Sequence, residues 1–289
     1  MTRVGVTGAT GFIGRRAVAA LRASGTRVIT IGRRDADRSW SPPEASDVSL
    51  NDIDVLVHLA SFIPPGHGAE HARRCVEVNA LGTLGLLEAA KRDGVAHLVH
   101  TSSGNVYADP SGPTGESSPA FPDRHAPYYL GSKLLADVWV SHAARTGLGT
   151  TILRPSAVYG PGMSGGVVRI FVDRLRAGRA VTLADGGRFR SDLVFVDDVV
   201  RAIVAAVEQR PPGIVNVGSG TTSSVAEVAG HLGELLGTPS AHIVREPDAD
   251  GAAPGFAPLD IDRLNQLVGE APTPLRRGLE RMLAEEGQP

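Results

Sequence analysis

The N-terminal stretch of this chain constrains its fold more than any other. A short β-branched segment, Val4 to Thr7, precedes three regularly spaced glycines, Gly8, Gly11 and Gly14, and an amphipathic helical pattern follows. Gly8 permits a sharp turn off the strand, Gly11 lets a diphosphate approach the backbone, and Gly14 allows close packing of helix on sheet. Free N–H groups and the dipole at the start of the helix favour bound phosphate. An ordinary βα turn is the alternative, but the strand–turn–helix order favours a dinucleotide site.

Composition limits the class of protein. The 289-residue chain has a net charge of −2 and therefore no basic field for a nucleic acid polymer. Its one cysteine, Cys75, allows no intramolecular disulfide and no cysteine cluster, and we expect no metal site. The first residues do not resemble a signal peptide, and no apolar run is long enough to span a bilayer. We therefore expect a cytoplasmic protein with no membrane contact.

Strands and helices alternate along the first half of the chain. The predicted strands that follow the N-terminal one are 27–31, 54–60, 97–101 and 151–154, and the predicted helices are 12–24, 73–92 and 129–145. This alternation predicts an α/β fold with a Rossmann-type, doubly wound parallel sheet. Beyond residue 163 the order loosens. There we predict strands at 192–198 and 214–217, and helices at 167–177, 199–208, 224–236 and 275–285.

The end of the second strand bears on the choice of cofactor. Gly32 stands there and is followed by Arg33, Arg34 and Asp35. A carboxylate at this position binds the adenosine ribose of NAD, whereas an arginine accommodates the 2′-phosphate of NADP. The arginines therefore favour NADP(H) over NAD(H). Two alternatives stay open: Asp35 is the ribose acid of an NAD enzyme, or both arginines are solvated loop charges.

Further cofactor contacts are predicted from position in the chain. Small residues at the end of the buried strand, Ala60 and Ser61, leave room for a dinucleotide, and Asp47 and Val48 are within reach of the adenine edge. The predicted cofactor site also includes neighbours of the glycines and of this strand end, namely Thr10, Phe12, Ile13 and Leu59.

Ser103, Tyr129 and Lys133 suit hydride chemistry at a ketone or a carbinol. Tyr129 and Lys133 are four residues apart, so they share one helical face. Tyr129 can give a proton to the developing alkoxide or remove one in reverse, and we expect the Lys133 cation to lower the pKa of this phenol. Ser103 would hold the substrate oxygen, and Lys133 can also bond the nicotinamide ribose. Tyr128 is the competing phenol, but its partner four residues on, Ser132, carries no charge.

Eight segments of the chain, in order, resemble the extended short-chain dehydrogenase/reductase superfamily, in its nucleotide-sugar epimerase, dehydratase and reductase group. They are TGATGFIG (7–14), VLVHLAS (55–61), VNALGT (78–83), SSGNVY (102–107), YYLGSK (128–133), LRPSAVYGPG (153–162), DLVFVDDV (192–199) and NVGSG (216–220). The resemblance implies the same roles for the serine, tyrosine and lysine. It also implies cofactor contacts near Asp47, Val48, Ala60, Asn79 and Pro155.

The resemblance further implies how the chain divides and assembles. Residues 1–162 would form the dinucleotide-binding domain, to which 192–218 return. Residues 163–191 and 219–289 would form a smaller substrate-binding lobe. Relatives of this kind suggest a homodimer built on helices 73–92 and 129–145.

Departures from the family pattern narrow the activity. Gly104 and Asn105 stand where the dehydratases carry an Asp-Glu pair, which argues against a 4,6-dehydratase. Asn105 then becomes a candidate substrate contact beside Ser103. The arginine that faces the sugar diphosphate in the family has an uncertain register here, so Arg169 and Arg190 are candidates, with plain surface charge as the alternative for each.

These features favour an NADP(H)-dependent 4-ketoreductase of a nucleotide-activated deoxysugar. The region 165–187 is similar to that of 4-ketoreductases of deoxysugar pathways. A nucleotide-sugar 4-epimerase with tightly bound NAD is the main alternative. A non-sugar carbonyl reductase and a nonenzymatic NADP-binding regulator also stay open, although a regulator would not need the proton donor Tyr129.

Overall fold

A seven-stranded parallel sheet forms the centre of this computed structural model, which describes residues 1–43, 48–108, 112–239, 242–246 and 255–287. The strands of the chain are β1 (Arg3–Thr7), β2 (Arg27–Gly32), β3 (Arg38–Ser39), β4 (Val55–His58), β5 (His97–Thr101), β6 (Gly149–Pro155), β7 (Ala157–Tyr159), β8 (Val181–Leu183), β9 (Arg190–Phe195), β10 (Gly213–Val217), β11 (Thr222–Ser224) and β12 (Ile243–Arg245). The central sheet has the order β10-β6-β5-β4-β1-β2-β3, and every pairing is parallel. The α/β, Rossmann-type prediction is therefore confirmed.

Strand order reverses at β1, which pairs with β2 on one side and β4 on the other. The connections that leave the carboxyl ends of β1 and β4 therefore diverge to opposite sides and open a crevice, which is where ligands of such sheets bind. The glycine turn follows β1 directly, so the fold brings the predicted dinucleotide site to this crevice.

Helices cover both faces of the sheet. They are α1 (Phe12–Ala23), α2 (Ala72–Cys75), α3 (Gly82–Arg92), α4 (Pro127–Arg145), α5 (Val167–Arg176), α6 (Val196–Gln209), α7 (Val225–Leu235), α8 (Asp262–Val268) and α9 (Leu275–Glu286). Successive side chains of a strand point to opposite faces, and β4 shows the consequence. Val55 and Val57 join one buried cluster with α1, α6 and α8, whereas Leu56 joins another with α3 and α4. Within the described ranges, no helix is both long and apolar enough to cross a bilayer.

A third buried cluster lies outside the central sheet. Tyr159, Phe195 and side chains from α5, α7 and α9 form it. Two small sheets adjoin it: β9 pairs with β7 in parallel and with β11 antiparallel, and β8 pairs with β12. This cluster gives the later part of the chain a core of its own.

Several element boundaries differ from the sequence prediction. The strand predicted at 192–198 ends at Phe195, and α6 begins at Val196, so Asp197 and Asp198 lie in the first helical turn. Carboxylates are favoured there by the helix dipole, which explains the paired acids. The helix predicted at 73–92 is interrupted by a π-helical turn, Val76–Leu81. The short strands β3, β7, β8, β11 and β12 and the helix α8 were not predicted, because elements of two to seven residues carry too little periodicity to be recognised.

Candidate active site

The glycine turn leaves no room for side chains at two positions. A Cβ on Gly8 would lie 2.6 Å from the amide nitrogen of Ala60, and Gly8 has a φ of +68°. A Cβ on Gly14 would lie 2.0 Å from the carbonyl oxygen of Gly8. The turn is closed by a hydrogen bond of 3.0 Å from the Gly11 N–H to that same oxygen, and α1 begins at the next residue without a side-chain cap. Bare backbone and uncapped N–H groups at a helix start fit a dinucleotide diphosphate.

A cavity of about 690 Å³ opens beside this turn, and we call it the glycine-turn cavity. It is lined by seven of the residues predicted to bind cofactor, namely Gly8, Thr10, Gly11, Arg33, Leu59, Ala60 and Ser61. Its other lining residues include Trp40, Phe62, Glu70, Arg73, Arg74 and Glu77. Arg33 therefore reaches the cavity, whereas Asp35 and Arg34 are exposed residues outside its lining. Asp37, the next acid along the chain, accepts hydrogen bonds from the backbone N–H and from the hydroxyl of Thr30.

Other predicted cofactor residues lie elsewhere. Phe12, Ile13 and Gly14 belong to the first turn of α1 and are not among the residues that line the cavity. Val48 has its side chain in the buried core, and its carbonyl oxygen accepts a hydrogen bond of 2.7 Å from Arg92. Pro155 ends β6 opposite Val217 of β10, and Asp47 lies outside the described residues.

Asn79 is buried in the π-helical turn, and both ends of its amide are engaged. Its Oδ1 accepts hydrogen bonds from the Ser61 hydroxyl at 3.0 Å and the Phe62 N–H at 2.7 Å. Its Nδ2 donates to the Phe62 carbonyl at 3.0 Å and to the Ser132 hydroxyl at 3.0 Å. The amide therefore ties the end of β4 to helix α4, which carries Tyr129.

The residues that are predicted to be catalytic come from the end of β5 and from α4. Ser103 follows β5, and its hydroxyl accepts a hydrogen bond of 3.2 Å from the Asn105 N–H. Lys133 is 3% exposed, and its ammonium donates a 2.5 Å hydrogen bond to the carbonyl oxygen of Thr101, the last residue of β5. Tyr129 lies one helical turn before Lys133 and is hydrogen-bonded to Ser61. The fold thus brings a hydroxyl, a phenol and an ammonium to the same edge of the sheet.

Burial sets the protonation states of the phenol and the ammonium. It raises the pKa of Tyr129 to about 12, against an opposing effect of the hydrogen bond with Ser61. It lowers the pKa of Lys133 to about 8, against the attraction of Asp137. The expectation that Lys133 lowers the pKa of Tyr129 is therefore wrong for this structure, because burial dominates and the ammonium is turned to Thr101. Tyr129 is a neutral phenol at neutral pH, which is the proton-donating form.

A buried ion pair lies beyond Lys133. Asp137 Oδ2 accepts hydrogen bonds from the Ser102 hydroxyl at 2.9 Å and from Arg154 Nε at 3.0 Å, and Arg154 Nη2 is 2.9 Å away. Burial raises the pKa of Asp137, and Arg154 opposes this effect. Asp137 lies four residues after Lys133 on the same helical face, a spacing that could have indicated in the sequence that these two side chains are close.

Two buried histidines adjoin this ion pair. His100 Nε2 lies 3.6 Å from Asp137 Oδ1, and the His58 ring centre lies 5.4 Å from that of His100. Burial lowers the pKa of His58 to about 3 and that of His100 well below its usual value. Both rings are therefore neutral at neutral pH and lie beside the Arg154–Asp137 pair.

Both arginines predicted to contact substrate are already paired with carboxylates. Arg169 donates to both oxygens of Glu286 at 2.8 Å and also pairs with Asp173. Arg190 donates to the carbonyl oxygen of Thr222 at 2.7 Å and lies 3.1 Å from Glu227. These contacts tie helices and strands of the later core together, so the structure gives each arginine a structural partner rather than a free guanidinium.

Asp192 is a structural residue that sequence reasoning did not single out. It is 1% exposed and accepts hydrogen bonds from the Ser219 N–H at 2.7 Å, the Gly220 N–H at 3.2 Å and the Leu259 N–H at 3.1 Å. The segment so anchored packs against the chain that follows β5, since a Cβ on Gly104 would lie 2.7 Å from the Leu259 side chain. Asp192 therefore fixes the loop that borders Ser103.

Residues 4–218 match the family model described as the NAD dependent epimerase/dehydratase family. The chain belongs to this family. The resemblance seen in the sequence is thereby confirmed, and the family is one of enzymes that act with a nicotinamide dinucleotide.

Relatives and solved structures agree with this assignment. A UDP-glucose 4-epimerase of Mycolicibacterium smegmatis is 33% identical over 81% of this chain and 82% of its own length. A dTDP-4-dehydro-6-deoxy-D-allose reductase of Streptomyces bikiniensis is 28% identical over 95% of this chain and 93% of its own length. The structure of the Thermus thermophilus UDP-glucose 4-epimerase in complex with NAD superposes with a TM-score of 0.83, at 27% identity and full coverage of both chains.

Proposed function

We propose that this family member is an NADP(H)-dependent oxidoreductase that reduces a keto carbon of a nucleotide-activated deoxysugar, at C4 of the sugar. The observation that carries the proposal is that Ser103, Tyr129 and Lys133 come from one edge of the sheet and that Tyr129, in its protonated form, is hydrogen-bonded to Ser61 of the glycine-turn cavity. Similarity to a deoxysugar reductase over nearly the whole chain supports the reductive direction.

Each residue has a distinct task in the proposed reduction. The nicotinamide supplies a hydride to the keto carbon when it is bound. The Ser103 hydroxyl donates a hydrogen bond to the carbonyl oxygen, and Tyr129 transfers its proton to that oxygen as charge develops there. The products are one alcohol and one oxidised cofactor, and the proton lost by Tyr129 is replaced from solvent.

Lys133 is a hydrogen-bond donor in the proposed site. Its pKa of about 8 keeps it mostly in the ammonium form at neutral pH. An ammonium has three N–H groups, and the bond to Thr101 uses one. The others are available to the nicotinamide ribose.

The preference for NADP(H) rests on the charges at the end of β2. Arg33 lines the glycine-turn cavity, whereas Asp35 does not. The carboxylate of Asp37 already accepts a hydrogen bond from Thr30. A guanidinium without a neighbouring ribose acid suits a 2′-phosphate.

A 4-epimerase is the second candidate. The M. smegmatis relative and the NAD complex of the Thermus enzyme favour it. An epimerase returns its hydride to the same substrate and therefore retains its cofactor, whereas a reductase exchanges cofactor at every turnover.

The deciding experiment denatures the purified protein and identifies any released nucleotide by chromatography. Release of stoichiometric NAD would reject the reductase proposal in favour of the epimerase. Empty protein or exchangeable NADP(H) would support the reductase, and NADPH oxidation is then followed with a panel of nucleotide-activated 4-keto sugars. Tyr129→Phe should lower kcat about 10²- to 10⁴-fold while the Kd for NADPH stays within twofold. Normal turnover by this variant would reject Tyr129 as the proton donor.

We also propose that the protein is a homodimer. Apolar side chains are exposed along the stretch from α2 to α3 and along α4, namely Val76, Leu81, Tyr128, Leu135 and Val138. Two copies packed on this face would remove the stripe from water. Sedimentation equilibrium should give a dimer for the parent protein and a folded monomer for Val138→Arg. A monomeric parent protein at high micromolar concentration would reject the proposal.

A further inference from the structure

One wall of the glycine-turn cavity carries charges that the proposed reaction does not use. Residues 70–78 contribute Glu70, Arg73, Arg74 and Glu77 to the lining. Arg73 lies 3.6 Å from Glu77 and is paired with it along the wall, and Glu70 Oε1 lies 3.5 Å from His71 Nε2.

Arg74 differs from its neighbours. Its guanidinium carbon lies 4.6 Å from the centre of the Phe62 ring, and in the described part of the chain this ring, not a carboxylate, is its partner. Stacking uses the flat face of a guanidinium and leaves the N–H groups at its edge free to donate. The edge of Arg74 is therefore available to an anion in the cavity.

Phe62 is itself fixed in place. Its N–H and its carbonyl oxygen are both bonded to the buried amide of Asn79, at 2.7 and 3.0 Å. Phe62 follows Ala60 by two residues, which is about 7 Å of extended chain, and Ala60 packs against Gly8 of the turn. The strand end that contacts the glycine turn thus also carries the ring beneath Arg74.

We propose that Arg74 binds the diphosphate of the dinucleotide cofactor, with the Phe62 ring holding its guanidinium in position. The glycine turn supplies backbone N–H donors to that diphosphate, and Arg74 supplies the side-chain cation. A guanidinium can donate hydrogen bonds to two phosphate oxygens at once. A guanidinium on a solvated loop is not held in the orientation that these two bonds require. In this proposal Arg74 binds the diphosphate, which NAD and NADP share, and Arg33 binds the 2′-phosphate, which only NADP carries. This inference rests on the dinucleotide site of the proposed function, but not on which reaction follows.

Calorimetric titration with cofactor fragments separates the two arginines. ADP carries a diphosphate without the 2′-phosphate, and adenosine 2′-monophosphate carries the reverse. Arg74→Ala should raise the Kd for ADP, NADH and NADPH about tenfold each and leave the Kd for adenosine 2′-monophosphate within twofold. Arg33→Ala should raise the Kd for NADPH and adenosine 2′-monophosphate and spare ADP.

Two further variants test the geometry and the specificity of the charge. Phe62→Leu keeps Arg74 but removes the ring, and it should raise the Kd for ADP several-fold, while its backbone bonds to Asn79 persist. Lys91 lies near the end of α3, about 25 Å along the helical stretch from Arg74. Lys91→Ala removes its positive charge and should leave the Kd of every one of these ligands unchanged. Thermal melting of each variant confirms that it is folded.

The outcomes are distinct. An unchanged Kd for ADP in folded Arg74→Ala would overturn the proposal. Weakening confined to NADPH and adenosine 2′-monophosphate would also overturn it, because Arg74 would then read the 2′-phosphate. A parent protein that binds neither ADP nor NADPH would reject the dinucleotide site as a whole, whereas failure to reduce any keto sugar would leave these binding results intact.

Discussion

Replacing Lys133 by methionine should stabilise the protein while abolishing its activity. The two side chains are similar in length, and methionine carries no charge into the buried site. Burial lowers the pKa of Lys133 from 10.5 to about 8, so the folded protein binds this proton more weakly than the unfolded chain does. A difference of about 2.5 pKa units corresponds to about 3 kcal/mol.

The sign and the pH window follow from the same shift. Below pH 8 the lysine is charged in both states, and the full cost of burying the charge weakens the parent protein. As the pH rises from 8 to 10.5 the folded state loses the proton first and that cost disappears. Loss of the hydrogen bond to Thr101 offsets about 1 kcal/mol of the gain in the variant. Lys133→Met should therefore be about 2 kcal/mol more stable at pH 6, with the advantage gone above pH 10.

Urea unfolding at several pH values measures this difference, and the chain offers a close control. Lys91 is the only other lysine, and it is exposed, so Lys91→Met should gain no comparable stability at pH 6. Carbon-13 labelling of lysine would give a Lys133 side-chain signal that titrates near pH 8 and is assigned by its absence from Lys133→Met. A variant that is no more stable at pH 6, together with a Lys133 signal that titrates near 10.5, would refute the reasoning.

Three other predictions concern the cofactor turn, cofactor choice and the loop beside Ser103. Gly14→Ala should abolish dinucleotide binding and lower the free energy of unfolding by about 1–3 kcal/mol, because its Cβ would lie 2.0 Å from a backbone oxygen; tight NADPH binding by this variant would contradict the geometry of the turn. Arg33→Ala should raise the KM for NADPH about tenfold more than that for NADH, as steady-state kinetics would measure; equal effects would argue against a 2′-phosphate contact. Asp192→Ala leaves the half-buried N–H of Ser219 and the buried N–H of Leu259 without their acceptor and should cost about 3 kcal/mol in urea unfolding, whereas a loss below about 1 kcal/mol would mean that water replaces the carboxylate.

Much of the fold could be predicted because its determinants are local. The alternation of apolar strands and amphipathic helices indicated a parallel α/β sheet, and the glycine spacing indicated the tight turn after β1. Tyr129 and Lys133 could be paired because a spacing of four residues means one helical face wherever the helix lies. Ser103 could be added because the carboxyl ends of parallel strands meet at one edge of the sheet.

The sequence by itself therefore determined the sheet, the turn and the residues that are predicted to be catalytic. Tertiary structure alone decided the partners of the charged groups. Glu286 and Thr222 reach Arg169 and Arg190 from more than thirty residues away, and Arg154 of β6 reaches Asp137 of α4. It also decided that the pKa of Tyr129 is raised rather than lowered, because burial outweighs the hydrogen bond with Ser61. Periodicity shows which face of an element is buried, but the energy of a charge depends on every group packed around it, and those groups come from distant parts of the chain.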